Sequence, residues 1–559
     1  MRLIYRIEEL IKKTLLILRK KGFKETARKI RIFLTRDLFG RNFSLVLSHG
    51  SYRYLWQRVF DSYKTKGFFV FAFRFVLTAL FGWVVLFITP KVIDFVPEKK
   101  ILSWYSKNKR KVSIIIPTYN DFSLTKACID SIKQTTDLNF VEIVVSDDGS
   151  EKKIQDQLKD LNVKLVLSKQ NGGYAKAVNL GFSKTQNTDV ILLNNDTLVK
   201  KGWLEAMQYW AYSNEAIGIV GPKLIYPDQT IQWAGTYRND LEPQWFDHYF
   251  RNQPADLPSS EVSYPVLAAT GACMYIKRTV IDKIGILDEG YQMAFEDVDY
   301  SLKAWEAGFR VVYCPKALVV HYESKTRGRT QGSRELASRD YFWSKWKNFF
   351  EKRNVLSKNG KLRIVYVNQD NGVGGGTRVI FEHLNRLSRR GHEVSLYSIT
   401  PPPDWFELEV PVKVFKDYEQ LIEDLKEIEA IKIATWWETS EAVWLSSVLK
   451  GIPAFLVQDI ETSYYSNEED YKNKVLASYR KEFTYLTVSN WDREELDKLA
   501  IDAAVINPGV SEIFYEDKKT KKETQLLAIG RSNPLKNFDL TAKAIKLLKS
   551  KPKVKLFGI

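Results

Sequence analysis

Four short apolar runs between residues 112 and 193 each lead into a cluster of small polar residues, and that repeat limits the fold more than any other feature. The run 112–117 stops at Thr118-Tyr119-Asn120 and the run 141–146 at Asp147-Asp148-Gly149-Ser150. The run 163–167 leads to Asn171-Gly172-Gly173, and 189–193 stops at Asn194-Asn195-Asp196. Runs of this length and composition read as buried strands. Helical patterns near 122–135 and 174–186 lie between them, so the spacing predicts an α/β unit on a mostly parallel sheet. Ligands bind beyond the carboxyl ends of the strands in such sheets, where all four polar clusters fall.

The rhythm fails across 222–265, which carries Pro222, Pro227, Pro243, Pro254, Pro258 and Pro265. That stretch reads as a long excursion over one side of the sheet, a usual place for substrate contacts. Regularity returns after Gly271 and runs through His321. Residues 324–360 read as a polar, basic linker around a helix near 335–352. A second α/β pattern starts at Leu362: a strand over 363–367, the loop Gly372-Val373-Gly374-Gly375-Gly376, a helix near 377–390, and strands near 393–398, 431–435, 453–457 and 484–488. A charged stretch near 515–523 precedes a further strand at 526–530, and 554–559 reads as its successor. The pattern predicts a truncated sequence or an incomplete unit over the last 36 residues. A chain of 559 residues should hold two or three domains. The expected divisions are a basic, membrane-associated region at 1–105, an α/β domain at 106–330, a helical linker at 331–360, a second α/β domain at 361–515, and the start of a third unit at 524–559.

The net charge of +17 is concentrated at the N-terminal end, where residues 1–66 carry seventeen basic and five acidic side chains. Leu3, Ile4, Ile7, Leu10, Ile11, Leu15 and Leu18 recur at helical spacing among Lys12, Lys13, Arg19, Lys20 and Lys21. This predicts an amphipathic helix lying on a membrane surface, with a core-packing helix as the alternative. Residues 68–89 are apolar over about the length of a bilayer crossing, apart from Arg74. Both flanks are basic, which would keep both on the cytoplasmic side and favours an embedded or re-entrant segment, with a true span as the alternative. Cys128, Cys273 and Cys314 fit no metal or disulfide spacing and read as buried thiols in a reducing compartment. A nucleic-acid partner is not expected, since no base-stacking or groove-reading module accompanies the basic end.

Two acidic groups carry the chemistry. Asp196 follows the fourth strand, which suits a divalent cation neutralising a diphosphate; capping of a helix near Lys200 is the plainer account. Phe295-Glu296-Asp297-Val298-Asp299-Tyr300 opens a helix expected at 297–307. Acidic residues there complement the helix dipole, but three carboxylates in four positions exceed that need. Asp297 can take a proton from an acceptor hydroxyl, Glu296 can hold that hydroxyl, and Asp299 reads as structural. His321 ends an apolar strand and can complete a Mg2+ or Mn2+ site with Asp196. The 372–376 loop, including Gly375, would let backbone amides approach an anion, but it lacks the order of a nicotinamide-binding loop. Arg531 and Lys536 flank Asn533-Pro534 and can grip a diphosphate.

These motifs, in this order, resemble glycosyltransferase family 2 over residues 111–325, most closely its bacterial rhamnosyltransferases. The match lies in 112–120, 144–150, Asn171-Gly172-Gly173-Tyr174-Ala175, Asn194-Asn195-Asp196, 295–299 and His321. The resemblance implies a GT-A fold in which Pro117, Tyr119 and Asp148 contact base and ribose, with Gly172, Gly173 and Asn195 in the donor site. Asp196 and His321 would hold the metal, and Asp297 would be the base of an inverting displacement. Asn194 stands where the family's D-x-D motif has its first acid, so one carboxylate is missing. Residues 361–559 resemble glycosyltransferase family 4, with a GT-B architecture. That match lies in the glycine loop, Ser489-Asn490, Asn507-Pro508-Gly509-Val510, and Gly530-Arg531 with Lys536; the family's later glutamate pair has no counterpart here. The expected function is sugar transfer from a nucleotide-sugar to a lipid-linked surface glycan at the cytoplasmic face of a bacterial plasma membrane. The alternative is a non-catalytic membrane scaffold that binds nucleotide-sugar or glycan.

Overall fold

A computed structural model of the chain describes residues 96–558 apart from 186, 240–241, 324–331, 352, 358, 466–467, 511–524, 531–537 and 549–551. The expectations for residues 1–95, and for Arg531 and Lys536, lie outside the described residues. Among those described, no helix is long and apolar enough to cross a membrane.

The first half opens with α1 (Glu98–Asn108), β1 (Val112–Thr118), α2 (Phe122–Thr135), β2 (Val141–Asp147), α3 (Lys152–Lys159), β3 (Lys164–Leu167), α4 (Tyr174–Phe182) and β4 (Asp189–Leu193). β1 is buried along its whole length because β2 and β4 flank it and helices cover its faces. Pro117 is tolerated there because pairing with β4 has already ended at Ile115. The chain continues through β5 (Thr197–Val199), α5 (Trp203–Ala211) and β6 (Ile217–Ile225) into the excursion. That segment contains β7 (Ile231–Trp233), the hairpin β8 (Thr236–Arg238) and β9 (Phe246–His248), and β10 (Tyr264–Pro265). Lys223, buried within β6, ties the excursion down through Glu261, the Ala255 carbonyl at 2.9 Å and Ser260 Oγ at 3.1 Å. β11 (Cys273–Ile276), α6 (Arg278–Ile284), α7 (Glu296–Glu306) and β12 (Arg310–His321) complete this half.

The ten-stranded sheet runs β10-β12-β6-β11-β4-β1-β2-β3, with β5 on β12 and β7 on β6. It is mixed rather than mostly parallel, which corrects the expectation. β11 lies antiparallel between β4 and β6 because the chain reaches it from the excursion instead of through a crossover helix.

α8 (Ser333–Glu351) leads to β13 (Arg363–Asn368), α9 (Gly375–Arg389), β14 (Glu393–Ser398), β15 (Val412–Val414), α10 (Tyr418–Leu425), β16 (Ile431–Ala434), α11 (Trp437–Ser447), β17 (Ile452–Val457), α12 (Glu469–Ser478), β18 (Thr484–Thr487), α13 (Asn490–Lys498) and β19 (Ala503–Val505). These strands form an all-parallel sheet in the order β15-β14-β13-β16-β17-β18-β19. β20 (Gln525–Gly530), α14 (Phe538–Lys546) and β21 (Lys553–Gly558) form a separate two-stranded parallel unit.

The two large sheets share packed contacts. Trp305 on α7 meets Trp444 on α11 edge to face at 5.7 Å. The buried Arg480 guanidinium lies 3.7 Å above the Trp444 ring and bonds Glu482, whose carboxylate also accepts the Tyr249 hydroxyl from the excursion. Removing Arg480 leaves Glu482 without its cation in a half-buried seam. Arg480→Ala should lower the thermal unfolding midpoint, at a cost on the order of 3 kcal/mol; calorimetry on the intact chain measures it.

Candidate active site

The site is built on the carboxyl edge of the first sheet, beginning at β2. Asp148 follows β2, is buried, and accepts the Gly172 and Gly173 amides at 2.8 Å each. Burial pushes its carboxyl above the usual carboxylate range, and the two amides oppose that push. Gly149 has φ +78°, and a Cβ there would stand 2.6 Å from the Gln170 carbonyl carbon, so the turn requires glycine. Gly173, at φ +89°, opens α4.

From α4 the hydrogen bonding passes to the segment before β11. Tyr174 Oη donates to the Gly271 carbonyl at 2.6 Å, and the Gly271 amide donates to Asp297 Oδ2 at 2.9 Å. The next residue's carbonyl, on Ala272, accepts the Asn194 amide at 2.9 Å. The Gly271–Ala272 segment therefore bonds the tip of β4 on one side and the start of α7 on the other. Burial, with the nearby charges of Glu296 and Asp297, holds the Tyr174 hydroxyl well above its ordinary pKa, so it remains a donor.

Asp196 and His321 meet across paired strands. β5 runs antiparallel to the end of β12 with Thr197 opposite His321, and the Tyr322 amide donates to the Asp196 carbonyl at 3.0 Å. Their side chains are buried, with His321 Nε2 3.1 Å from Asp196 Oδ1. Asp196 caps no helix: α5 begins at Trp203 behind Gly202. Asn195 Nδ2 donates to Thr125 Oγ1 at 3.1 Å and Thr118 Oγ1 at 3.3 Å, bracing the ends of β4 and β1. Asn194 Oδ1 is buried without a hydrogen-bond partner.

Among the described residues, no group of three or more His, Cys, Asp or Glu side chains stands ready to hold a metal. A carboxylate facing an imidazole nitrogen nonetheless suits Mg2+ or Mn2+, which take one or two protein ligands and complete their shell with phosphate oxygens and water. The donor set fits such a cation.

Glu296 and Asp297 are the first two residues of α7. The preceding Ala294 and Phe295 sit at φ +66° and +71°, in the left-handed region that non-glycine residues rarely enter. Phe295 is held there by Trp245, Phe246 and Phe342 at ring distances of 5.5, 6.0 and 5.2 Å. Asp299 is fully buried and accepts from Tyr291 Oη at 3.0 Å, Trp346 Nε1 at 2.8 Å and Lys345 Nζ at 2.5 Å, with Lys303 2.8 Å away.

Of the remaining residues expected at the site, Pro117 is buried in β1 and Tyr119 is exposed just beyond it. Gly375 opens α9, beside the second sheet and away from the first. The three cysteines are free and buried, and burial drives their thiols upward. Sequence reasoning missed Gly271 and Gln232. The run of small residues from Ala268 to Ala272 is the signal for a close backbone approach at Gly271; the signal for Gln232 is one polar residue between Ile231 and Trp233 in the excursion.

Residues 113–285 match the family model Glycosyl transferase family 2. This stretch is therefore similar to family 2 glycosyl transferases, and it lies on a mixed α/β sheet. Over 282 residues it is 29% identical to Uncharacterized protein y4gI of Sinorhizobium fredii, covering 46% of this chain and 30% of that one. It is 29% identical over 235 residues to O-antigen biosynthesis protein RfbC of Myxococcus xanthus, covering 39% and 18%. It is 27% identical over 196 residues to an N-acetylglucosaminyl-diphospho-decaprenol L-rhamnosyltransferase of Mycobacterium tuberculosis, covering 31% and 62%. The chain thus spans less than two thirds of each of these relatives.

A second histidine of the first half, His248, donates from Nδ1 to the Gln232 carbonyl, 3.2 Å away. Burial and then Arg251 press its pKa down to about 4. An unfolded histidine takes its proton near pH 6.5, before the folded one does, so stability is full above that pH and is lost as pH falls toward 4. Thermal midpoints measured from pH 7 to 4 should decline, and His248→Gln should make that decline shallower.

Proposed function

We propose that residues 106–330 transfer a sugar from a nucleotide-sugar to a hydroxyl by single inverting displacement. The supporting observation is the hydrogen-bonded path from Asp148 through Gly172, Gly173, Tyr174 and Gly271 to Asp297, with Asn194 joined to it through Ala272. In this reading Pro117, Tyr119 and Asp148 receive the base and ribose, with Gly172, Gly173 and Asn195 around the donor. Asp196 and His321 hold Mg2+ or Mn2+, which when bound supplies positive charge to the departing diphosphate. Asp297 takes the proton from the acceptor hydroxyl as its oxygen attacks the anomeric carbon, and Glu296 orients that acceptor. The Gly271 amide on Asp297 Oδ2 fixes the carboxylate's direction.

Similarity to the O-antigen protein and the rhamnosyltransferase supports rhamnose as the sugar and a lipid-linked surface polysaccharide as the acceptor. The basic N-terminal region supports a place on the cytoplasmic face of a bacterial plasma membrane. We infer a family 4 relationship for the second sheet from its sequence motifs, with Gly375, Arg531 and Lys536 as its donor contacts.

Asp297→Asn keeps the side chain's shape and removes the base. Transfer should fall by roughly 10²–10⁴-fold, read by mass spectrometry of products from a panel of nucleotide-sugars. Near-normal turnover by the folded variant would remove Asp297 from the reaction. Chelation should abolish transfer, and added Mn2+ or Mg2+ should restore it; full activity in excess chelator would dismiss Asp196 and His321 as ligands.

A further inference from the structure

His321 presents both ring nitrogens to oxygen atoms. Nε2 faces Asp196 Oδ1 at 3.1 Å, and Nδ1 stands 2.8 Å from Gln232 Oε1. A neutral imidazole carries one proton, so the partner at Nδ1 decides which nitrogen keeps a lone pair. With the Gln232 oxygen accepting, the proton sits on Nδ1 and Nε2 is left bare toward the carboxylate. A bare nitrogen and a carboxylate oxygen repel each other across 3.1 Å, and a divalent cation that binds both relieves the repulsion.

Gln232 is well placed for this role. It is buried in β7, which pairs antiparallel with β6, itself the parallel neighbour of β12 and so of the strand ending at His321. The Gln232 carbonyl is fixed by His248 Nδ1 at 3.2 Å. Neighbouring Trp233 packs edge to face on Tyr313 of β12 at 5.9 Å and donates from Nε1 to Thr236 Oγ1 at 2.9 Å.

We propose that Gln232 is a positioning residue that accepts the Nδ1 proton of His321 and thereby presents Nε2 to a divalent cation shared with Asp196. The proposal rests on the cation reading given above and adds the residue that makes His321 a ligand. It also gives the proline-rich excursion a task at the metal, through a residue some ninety positions from His321 in the chain. Metal-bound histidines generally give their other ring proton to an oxygen acceptor, and loss of that acceptor weakens metal binding by roughly 10–100-fold.

Two measurements on the full chain test it. The first is Mn2+ binding, followed by the electron paramagnetic resonance signal of the free ion, with no nucleotide present. Gln232→Leu should weaken Mn2+ binding about 10–100-fold in the folded chain, with folding checked by circular dichroism. Gln232→Glu, whose carboxylate can only accept, should bind Mn2+ at least as well as the native chain. The second is nitrogen NMR of protein labelled at its five histidines, with the His321 signal assigned by its loss in His321→Ala. Native His321 should carry its proton on Nδ1 before any metal is added. A proton on Nε2 in the native chain, or equal Mn2+ affinity for native and Gln232→Leu proteins, overturns the role of Gln232. An Nδ1 proton together with no Mn2+ binding by the native chain instead overturns the cation reading, and this role with it.

Discussion

Two consecutive peptide groups, those of Gly271 and Ala272, hold the first crevice together. One carbonyl receives Tyr174, the following carbonyl receives Asn194, and one amide grips Asp297. Backbone groups have no rotamers to lose, so a carboxylate held by a peptide N–H keeps its direction better than one held by another side chain. The approach is close. A Cβ on Gly271 would lie 3.0 Å from Tyr174 Oη and 3.5 Å from Asp297 Cβ. Residues from three separate stretches of chain thereby face one strip of backbone at the mouth of the sheet.

The helix bearing Asp297 is fixed from both ends. At its start the left-handed backbone of Ala294 and Phe295 costs on the order of 1–3 kcal/mol per residue, and the aromatic cluster around Phe295, with the buried ionic group at Asp299, offsets it. Asp299 is enclosed by two lysines, a tryptophan and a tyrosine, which satisfy the negative charge that burial would otherwise penalise. α8 supplies Lys345 and Trp346 to this cluster and Phe342 to the Phe295 contacts, so it packs on the base-bearing helix. At the far end Trp305 packs on Trp444, making the second sheet part of the support for α7.

Much of this was legible in the residues, for reasons that also explain what was not. The β1 run 112–117 became a strand over 112–118, and the helix read at 122–135 has those bounds, because both follow from local hydrophobic periodicity and the Asp121 cap. The polar clusters fell at strand ends because a buried strand must stop before polar residues can reach solvent, and the loops leaving the carboxyl ends line the crevice. Pairing direction is a non-local property. β11 looks like any other short apolar strand, and nothing in its residues states that it enters antiparallel between β4 and β6. α8 reads as a helix within a polar, basic linker because lysines and arginines crowd the residues on either side of it. Phe342 and Trp346, four residues apart, form the buried stripe that spacing alone could have exposed. Gln232 was hidden for a different cause: its importance comes from His321, a contact made only when the excursion folds back.

The proposed function requires Asp148, Asp196 and Asp297 to border one donor pocket on the first sheet. A crystal structure of the full chain soaked with Mn2+ and a nucleotide-sugar that it turns over is the most direct measurement. Anomalous scattering should place manganese on Asp196 and His321, the base beside Asp148, and the anomeric carbon on the side facing Asp297. Nucleotide bound only at the second sheet, or packed protein between the metal and Asp297, would contradict it.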